Sequence, residues 1–329
     1  MVNTRLQDSE EVDPCKAELC QVLPLVANVN YQSRKVPTGL YAEYKYPPKV
    51  GVRRDRLGND VEVFGVDVQP VSVQLASGRE EGLTLDRNGV QLLSAPFVSH
   101  DFYDIDTVVS QYYAECCELV RVTMGARKVL AFDHNIRSIR RRGDPMGGGF
   151  AVQGPLELVH GDYTEASARN RVRQLARPPT KNDTLRRTFG DRPPLDEPVD
   201  DLLGRRFALI NVWRSIHPEP VERMPLGVLS PGSVPSEDVV VHEIHYEDRI
   251  GENYNARHGP GHLWWVFPGM TNEEALLLKC WDSAGAFAQQ PSPGERVEAT
   301  FAFHSALDVP VRPDAPDRES IEVRTIALF

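Results

Sequence analysis

Apolar and polar positions along this chain fall into many short runs separated by Gly, Pro, Asn and Asp, which is strand spacing, with three segments that carry a helical signature. Between residues 31 and 73 the β-rich pieces include Gly39-Leu40-Tyr41-Ala42-Glu43-Tyr44 and Val61-Glu62-Val63-Phe64-Gly65-Val66. Further strands are predicted over 128–133, 156–160, 207–213, 225–229, 239–246, 263–267, 296–304 and 320–329. A helix is predicted over 104–125, with Asp104 or Asp106 placed to cap its start and Gly125 to end it. Thr164 is placed to cap a second, Arg-rich helix over 165–176. Thr271-Asn272-Glu273-Glu274 reads as a capping box opening a short amphipathic segment to Trp281.

Residues 177–201 are rich in Pro, Asp and Arg without an apolar period, the composition of an inserted surface loop or lid. Four arginines between Arg137 and Arg142 read as a solvated loop running into Gly147-Gly148-Gly149, a hinge that no Lys-Ser or Lys-Thr follows. This pattern predicts a mainly β chain with flanking helices around a double-stranded β-helix (jelly-roll, cupin-like) core. The expected organisation is one domain: a mobile tail over 1–20, an N-terminal β/α extension over 21–127, and a jelly-roll core over 128–329 that carries the insertion 177–201.

Composition narrows the partners. A net charge of −10 over 329 residues argues against nucleic acid and anionic membrane surfaces, which select a basic face. No apolar run approaches the roughly 20 residues that span a bilayer, and residues 1–14 lack the apolar centre of a signal peptide. Cys15, Cys20, Cys116, Cys117 and Cys280 form no C-x-x-C pair, which fits a reducing, cytoplasmic setting. A small-molecule substrate is expected, and the oligomeric state stays open.

The chemistry concentrates in His160-Gly161-Asp162 and the distant His304. On a strand, residues two apart share a face, so His160 and Asp162 project together. A third ligand from His304 completes two imidazoles and one carboxylate, the facial triad that leaves metal positions open and suits non-haem Fe(II) oxygenases. Arg318-Glu319-Ser320 follows. There a guanidinium fork and a hydroxyl on one strand face suit the distal carboxylate of a 2-oxoacid. If Arg318 and Ser320 face inward, so do Arg324, Ile326 and Leu328. Arg324 is then a second candidate for the clamp, or a partner for a substrate carboxylate. Asn211 and Trp213 are expected to line the pocket, with Arg214 on the opposite face in a structural ion pair.

Phe132-Asp133-His134, His160-Gly161-Asp162, Ile210-Asn211-Val212-Trp213-Arg214, Leu278-Lys279-Cys280-Trp281-Asp282-Ser283 and Phe303-His304-Ser305-Ala306 together carry a family resemblance. From about residue 132 to the C-terminus the chain resembles the iron- and 2-oxoglutarate-dependent oxygenases that include fungal gibberellin desaturase, the asa-type hydroxylase/desaturases and the cephem 7-methoxylation protein. The first hundred residues add little to it. The resemblance implies a jelly-roll core, Fe(II), 2-oxoglutarate and O2, an Fe(IV)-oxo oxidant, and hydroxylation, desaturation or oxidative cyclisation of a small molecule in secondary metabolism. It implies His160, Asp162 and His304 as iron ligands, with Arg318 and Ser320 on 2-oxoglutarate.

Other readings of the residues stay open. One is a catalytically silent jelly-roll protein that binds a small molecule. Another is a zinc-dependent hydrolase using His242, His245 and a carboxylate, although a strand would turn those two rings to opposite faces. His258 and His262 flank Gly259-Pro260-Gly261, where a turn competes with a loop metal site. His134 is given no ligand role.

Overall fold

The computed structural model describes residues 25–34, 40–43, 66–76, 82–97, 101–147, 150–181, 183–245, 250–288, 297–309 and 313–329. The expected tail over 1–20 and most of the β piece at 61–66 lie outside them. Strands run in the order β1 (Leu25–Gln32), β2 (Leu40–Glu43), β3 (Val66–Leu75), β4 (Val90–Ser94), β5 (Lys128–Ser138), β6 (Pro145–Gly147), β7 (Phe150–Ala151) and β8 (His160–Gly161). They continue as β9 (Phe207–Ser215), β10 (Leu226–Leu229), β11 (Val239–His245), β12 (Ile250–Ala256), β13 (Trp264–Val266), β14 (Glu274–Asp282), β15 (Phe303–Ala306) and β16 (Glu319–Leu328). The helices are α1 (Leu85–Asn88), α2 (Ile105–Thr107), α3 (Tyr113–Met124), α4 (Glu165–Leu175), α5 (Arg186–Phe189) and α6 (Val199–Gly204).

Two sheets make the body. A nine-stranded sheet has the order β1-β3-β13-β10-β15-β8-β12-β11-β2, and a five-stranded sheet the order β4-β14-β9-β16-β5. Bridges Asn28↔Asp308 and Asn30↔Leu158 bring β1 back against the end of β15 and the approach to β8, so the larger sheet curls on itself. This is the expected jelly roll with flanking helices.

The alternation along β9 and β16 shows why the five-stranded sheet is apolar on both faces. Ala208, Ile210, Val212, Ile321 and Val323 pack with Tyr113, Cys116 and Val120 of α3, while Leu209, Trp213, Ile326 and Leu328 belong to the larger cluster on the other face. A sheet covered on both faces reads as a near-continuous apolar run.

Local signals explain the helix ends. The Asp104 carboxylate accepts from the Asp106 and Thr107 amides, and Gly125 closes α3 in the left-handed region at φ 65°. A π-type turn at Val108–Tyr112 joins α2 to α3. Thr164 and Ser167 form a reciprocal capping box at the start of α4.

Two expectations are corrected. The segment opened by Thr271 is a strand, not an amphipathic helix. Glu274 does accept from the Thr271 amide at 3.0 Å, but that bond closes the turn leading into β14. Leu276 and Leu278 then join one core cluster while Ala275 and Leu277 join the other, a period of two that only a strand provides.

Residues 177–201 are pinned to the body. They form α5 and the start of α6, and Leu185 and Leu195 are buried in the main cluster. Arg127 binds Glu197 through two hydrogen bonds, and Arg187 pairs with Asp106. Arg137 belongs to β5, not to a solvated loop, because β16 pairs with β5 as far as Glu319↔Ser138.

No helix of the described residues is long and apolar enough to cross a membrane.

Candidate metal centre

His160 and His304 are direct partners across β8 and β15, and antiparallel partners project to one face. Their ring centroids lie 4.3 Å apart. His160 Nε2 stands 3.6 Å and His304 Nε2 3.8 Å from the same oxygen, Asp162 Oδ1. Among the described residues, these three side chains are the one group whose ligand atoms all lie within 4.8 Å of one another.

Both imidazoles are set for a metal. His160 Nδ1 donates to the Leu158 carbonyl at 2.8 Å and His304 Nδ1 to the Ala302 carbonyl at 3.4 Å, which places the proton on Nδ1 and the free lone pair on Nε2. Burial, reinforced by His304, pushes the His160 ring down to about 4, against the pull of Asp162. Burial likewise lowers His304. The neutral rings therefore aim two lone pairs at a carboxylate oxygen with no proton between them. Three converging acceptors repel one another, and a shared cation is what relieves this. The donor set fits a divalent metal.

Asp162 is held as an anion. Burial pushes its carboxyl up, but Arg324, then His304 and His160, and the Asn211 bond together hold it well below the usual carboxylate range. Asn211 Nδ2 donates to Asp162 Oδ2 at 2.7 Å, and Arg324 Nε lies 3.6 Å from the same oxygen. Asn211 and Arg324 are themselves partners across β9 and β16.

Beside the triad lies a cleft lined by Arg137, His160, Trp213, His304, Arg318 and Glu322. Arg318 is 2% exposed; its Nη1 donates to the Met224 carbonyl at 2.6 Å, and its Nε has no partner among the described residues. Its guanidinium sits 5.6 Å from the centroid of the Trp213 ring. Burial, then the nearby Arg137 charge, pushes it down to about 9, with Glu322 acting in the opposite direction. Two guanidiniums against one carboxylate leave the cleft positive, which suits an anion.

The structure brings His160, Asp162, His304, Asn211, Trp213, Arg318 and Arg324 into one region. Arg324 is already engaged, with Nη1 2.9 Å from Asp133 and Nη2 3.4 Å from Glu322. Ser320 is buried, in register with Arg137 on one side and Ser215 on the other, and is not among the cleft residues. Ile326 and Leu328 are fully buried in the main cluster.

Arg214 is buried on the opposite face. Among the described residues its partners are the Tyr112 hydroxyl and the Ala95 and Asn272 carbonyls instead of the expected ion pair. His134 bonds Tyr113 on that outer face. His262 contacts the Tyr31 hydroxyl at 3.2 Å, beside a turn. Sequence reasoning missed Arg137, whose inward parity with Asp133 was hidden by ending the strand too early. It also missed Cys280, which the bulge between Lys279 and Trp281 leaves with its thiol 3.6 Å from Asp162.

A family model described as YDMC, oxidoreductase/YMDC permease-like domain, matches residues 30–328. The chain belongs to this family. A relative from Methylophilus leisingeri, an uncharacterised protein in the dcmA 3′ region, is 35% identical over 196 residues, covering 57% of this chain and 89% of that protein. The alpha-ketoglutarate-dependent dioxygenase phiK of a fungal species is 29% identical over 294 residues, covering 88% of this chain and 95% of the family relative. The fold is shared with a variant of the iron and alpha-ketoglutarate-dependent endoperoxidase NvfI, at a TM-score of 0.71 and 20% identity over 92% of this chain and 96% of that one. The resemblance to iron- and 2-oxoglutarate-dependent oxygenases read from the motifs stands on these relatives.

Proposed function

We propose that the protein is a non-haem oxygenase that uses Fe(II), 2-oxoglutarate and O2 to hydroxylate, desaturate or oxidatively cyclise a small molecule in secondary-metabolite biosynthesis. The observation that carries this reading is the convergence of two Nε2 lone pairs on Asp162 Oδ1, beside a buried cationic cleft. His160, Asp162 and His304 would hold the iron. Bound there with 2-oxoglutarate, iron supplies the oxidising power that attacks unactivated C–H bonds, while the protein supplies binding and orientation.

Each remaining role belongs to the chain's own groups. Arg318 receives the far carboxylate of 2-oxoglutarate, with Arg137 adding charge and Trp213 a flat wall. Arg324 does not compete for that carboxylate because Asp133, Glu322 and Asp162 surround it. Asn211 and Arg324 orient Asp162. Ser320, the cross-strand partner of Arg137 and so on the same face, is the candidate hydroxyl donor to that carboxylate. The free Cys116, Cys117 and Cys280 support a reducing, cytoplasmic setting.

The test is anaerobic visible absorption of the protein with Fe(II) and 2-oxoglutarate, for the natural chain and His304→Ala. A weak charge-transfer band present in the first and absent from the second is the expected result. A well-folded natural chain without the band would remove the reading.

A further inference from the structure

The triad does not end the polar row on its face of the nine-stranded sheet. His304 pairs with His160, His160 with Asn255, and Asn255 with Val240, so these four side chains share one face. Two residues along, Asn253 pairs with His242, and the period of two puts both on that same face. Gln32, at the end of β1, reaches the row from the side.

Three amides are linked in series. Asn253 Nδ2 donates to Asn255 Oδ1 at 3.2 Å, and Asn255 Nδ2 donates to Gln32 Oε1 at 3.1 Å. Asn255 is thereby used at both ends, while Asn253 Oδ1 and Gln32 Nε2 remain buried without a partner among the described residues. Reversing all three amides swaps the ends but still leaves one free donor and one free acceptor. His242 Nδ1 is a third buried atom without a partner among the described residues. A buried polar atom left unpaired costs about 1–3 kcal/mol, and folded proteins carry few. Here three gather beside a metal site.

We propose that Gln32, Asn255, Asn253 and His242 form a substrate-recognition wall for a neutral, oxygenated small molecule that both donates and accepts hydrogen bonds, such as a hydroxy-ketone or hydroxy-lactone. This rests on reading the triad as the metal centre of an oxygenase. The wall holds no formal charge, so it has no cation to receive a carboxylate and no anion to receive an amine. A carboxylate would also set its oxygen against whichever amide oxygen is free. Arg137 and Arg318, which could hold an acid, line the separate cleft beside Trp213.

Three ring-matched probes test this on the full chain, with and without Fe(II) and 2-oxoglutarate: 4-hydroxycyclohexanone, 4-oxocyclohexanecarboxylate and 4-aminocyclohexanol. Binding is read by saturation transfer from protein to probe. The neutral probe should bind at least about fivefold more tightly than either charged one, the worth of a typical hydrogen bond.

His242→Phe removes Nδ1, which has no partner among the described residues, and Gln32→Met keeps the side chain's length while removing its amide from the series; each should weaken the neutral probe about fivefold without lowering the Fe(II)–2-oxoglutarate absorption band. Equal or tighter binding of a charged probe, no binding of the neutral one, or natural affinity in both folded variants would overturn the proposal. The band separates the two readings. A band without selectivity for the neutral probe sinks the wall alone, whereas selective binding without a band keeps the wall and sinks the oxygenase.

Discussion

Replacing Asn211 by alanine removes the shortest contact of the carboxylate that the metal needs. Asp162 Oδ2 accepts from Asn211 at 2.7 Å, while Arg324 Nε and the Cys280 thiol both stand at 3.6 Å. A hydrogen bond to a charged group contributes about 1.5–3 kcal/mol, and loss of an outer partner of a metal ligand typically weakens metal affinity about 10–100-fold. Arg324 cannot replace it by moving closer, because Asp133 holds the other side of the guanidinium at 2.9 Å. Asn211→Ala should therefore bind Fe(II) or Co(II) about 10–100-fold more weakly.

The assay is a metal-competition titration, with circular dichroism to show that the variant is folded. At saturating metal the KM for 2-oxoglutarate should stay unchanged, since Arg318 and Trp213 are untouched. That split matters, because a merely loosened fold would degrade both quantities together. Natural metal affinity in a folded Asn211→Ala protein would refute the claim that this amide positions Asp162.

Arg318→Gln should raise the KM for 2-oxoglutarate about 30-fold or more at saturating metal, because truncating one partner of a buried charge pair costs about 2–5 kcal/mol, and an unchanged KM would remove Arg318 from the clamp. His134 tests the pH dependence of stability away from the metal. Burial pushes its ring down to about 4, so the unfolded imidazole, at about 6.5, takes up a proton that the folded one refuses. Stability is then full above about pH 6.5 and falls towards pH 4, by about 2 kcal/mol between pH 7 and 5 for this group. Urea unfolding of metal-free His134→Gln should lack that share of the slope, and a slope equal to the natural protein's would contradict it.

What could be read from the chain depended on whether a residue's role followed from its own neighbours. The ligand strand was legible because H-x-D needs only the strand period, and His304 because a second imidazole has to come from elsewhere. Asn211 was placed inward by parity, but its partner Asp162 lies 49 positions away, and no local pattern encodes that bond.

The β14 segment was misread for a related reason. Thr271 and Glu274 make the same short-range bond at a turn as at a helix start, and a run buried on both faces has no polar side to reveal its period. The anchoring of residues 177–201 escaped because Leu185 and Leu195 are spaced to fit the surface beneath them, not the period of a helix or strand.

The two sheets divide the charge around Asp162. From the five-stranded side come Arg137, Glu322 and Arg324, with Asp133 behind them, and Arg318 stands just before β16. From the nine-stranded side come the two imidazoles and, in the same row, the neutral Asn255, Asn253 and His242. An anionic cosubstrate and an uncharged substrate would thus be sorted by electrostatics before any detail of shape matters, since a carboxylate is attracted to one wall and gains nothing at the other. The division also separates consequences. Asn211 and Arg324 on the charged side touch Asp162 directly, so changing them disturbs the metal. The free ends of the amide series and His242 Nδ1 are bonded to no ligand side chain, so they can change what is recognised while the triad stays in place.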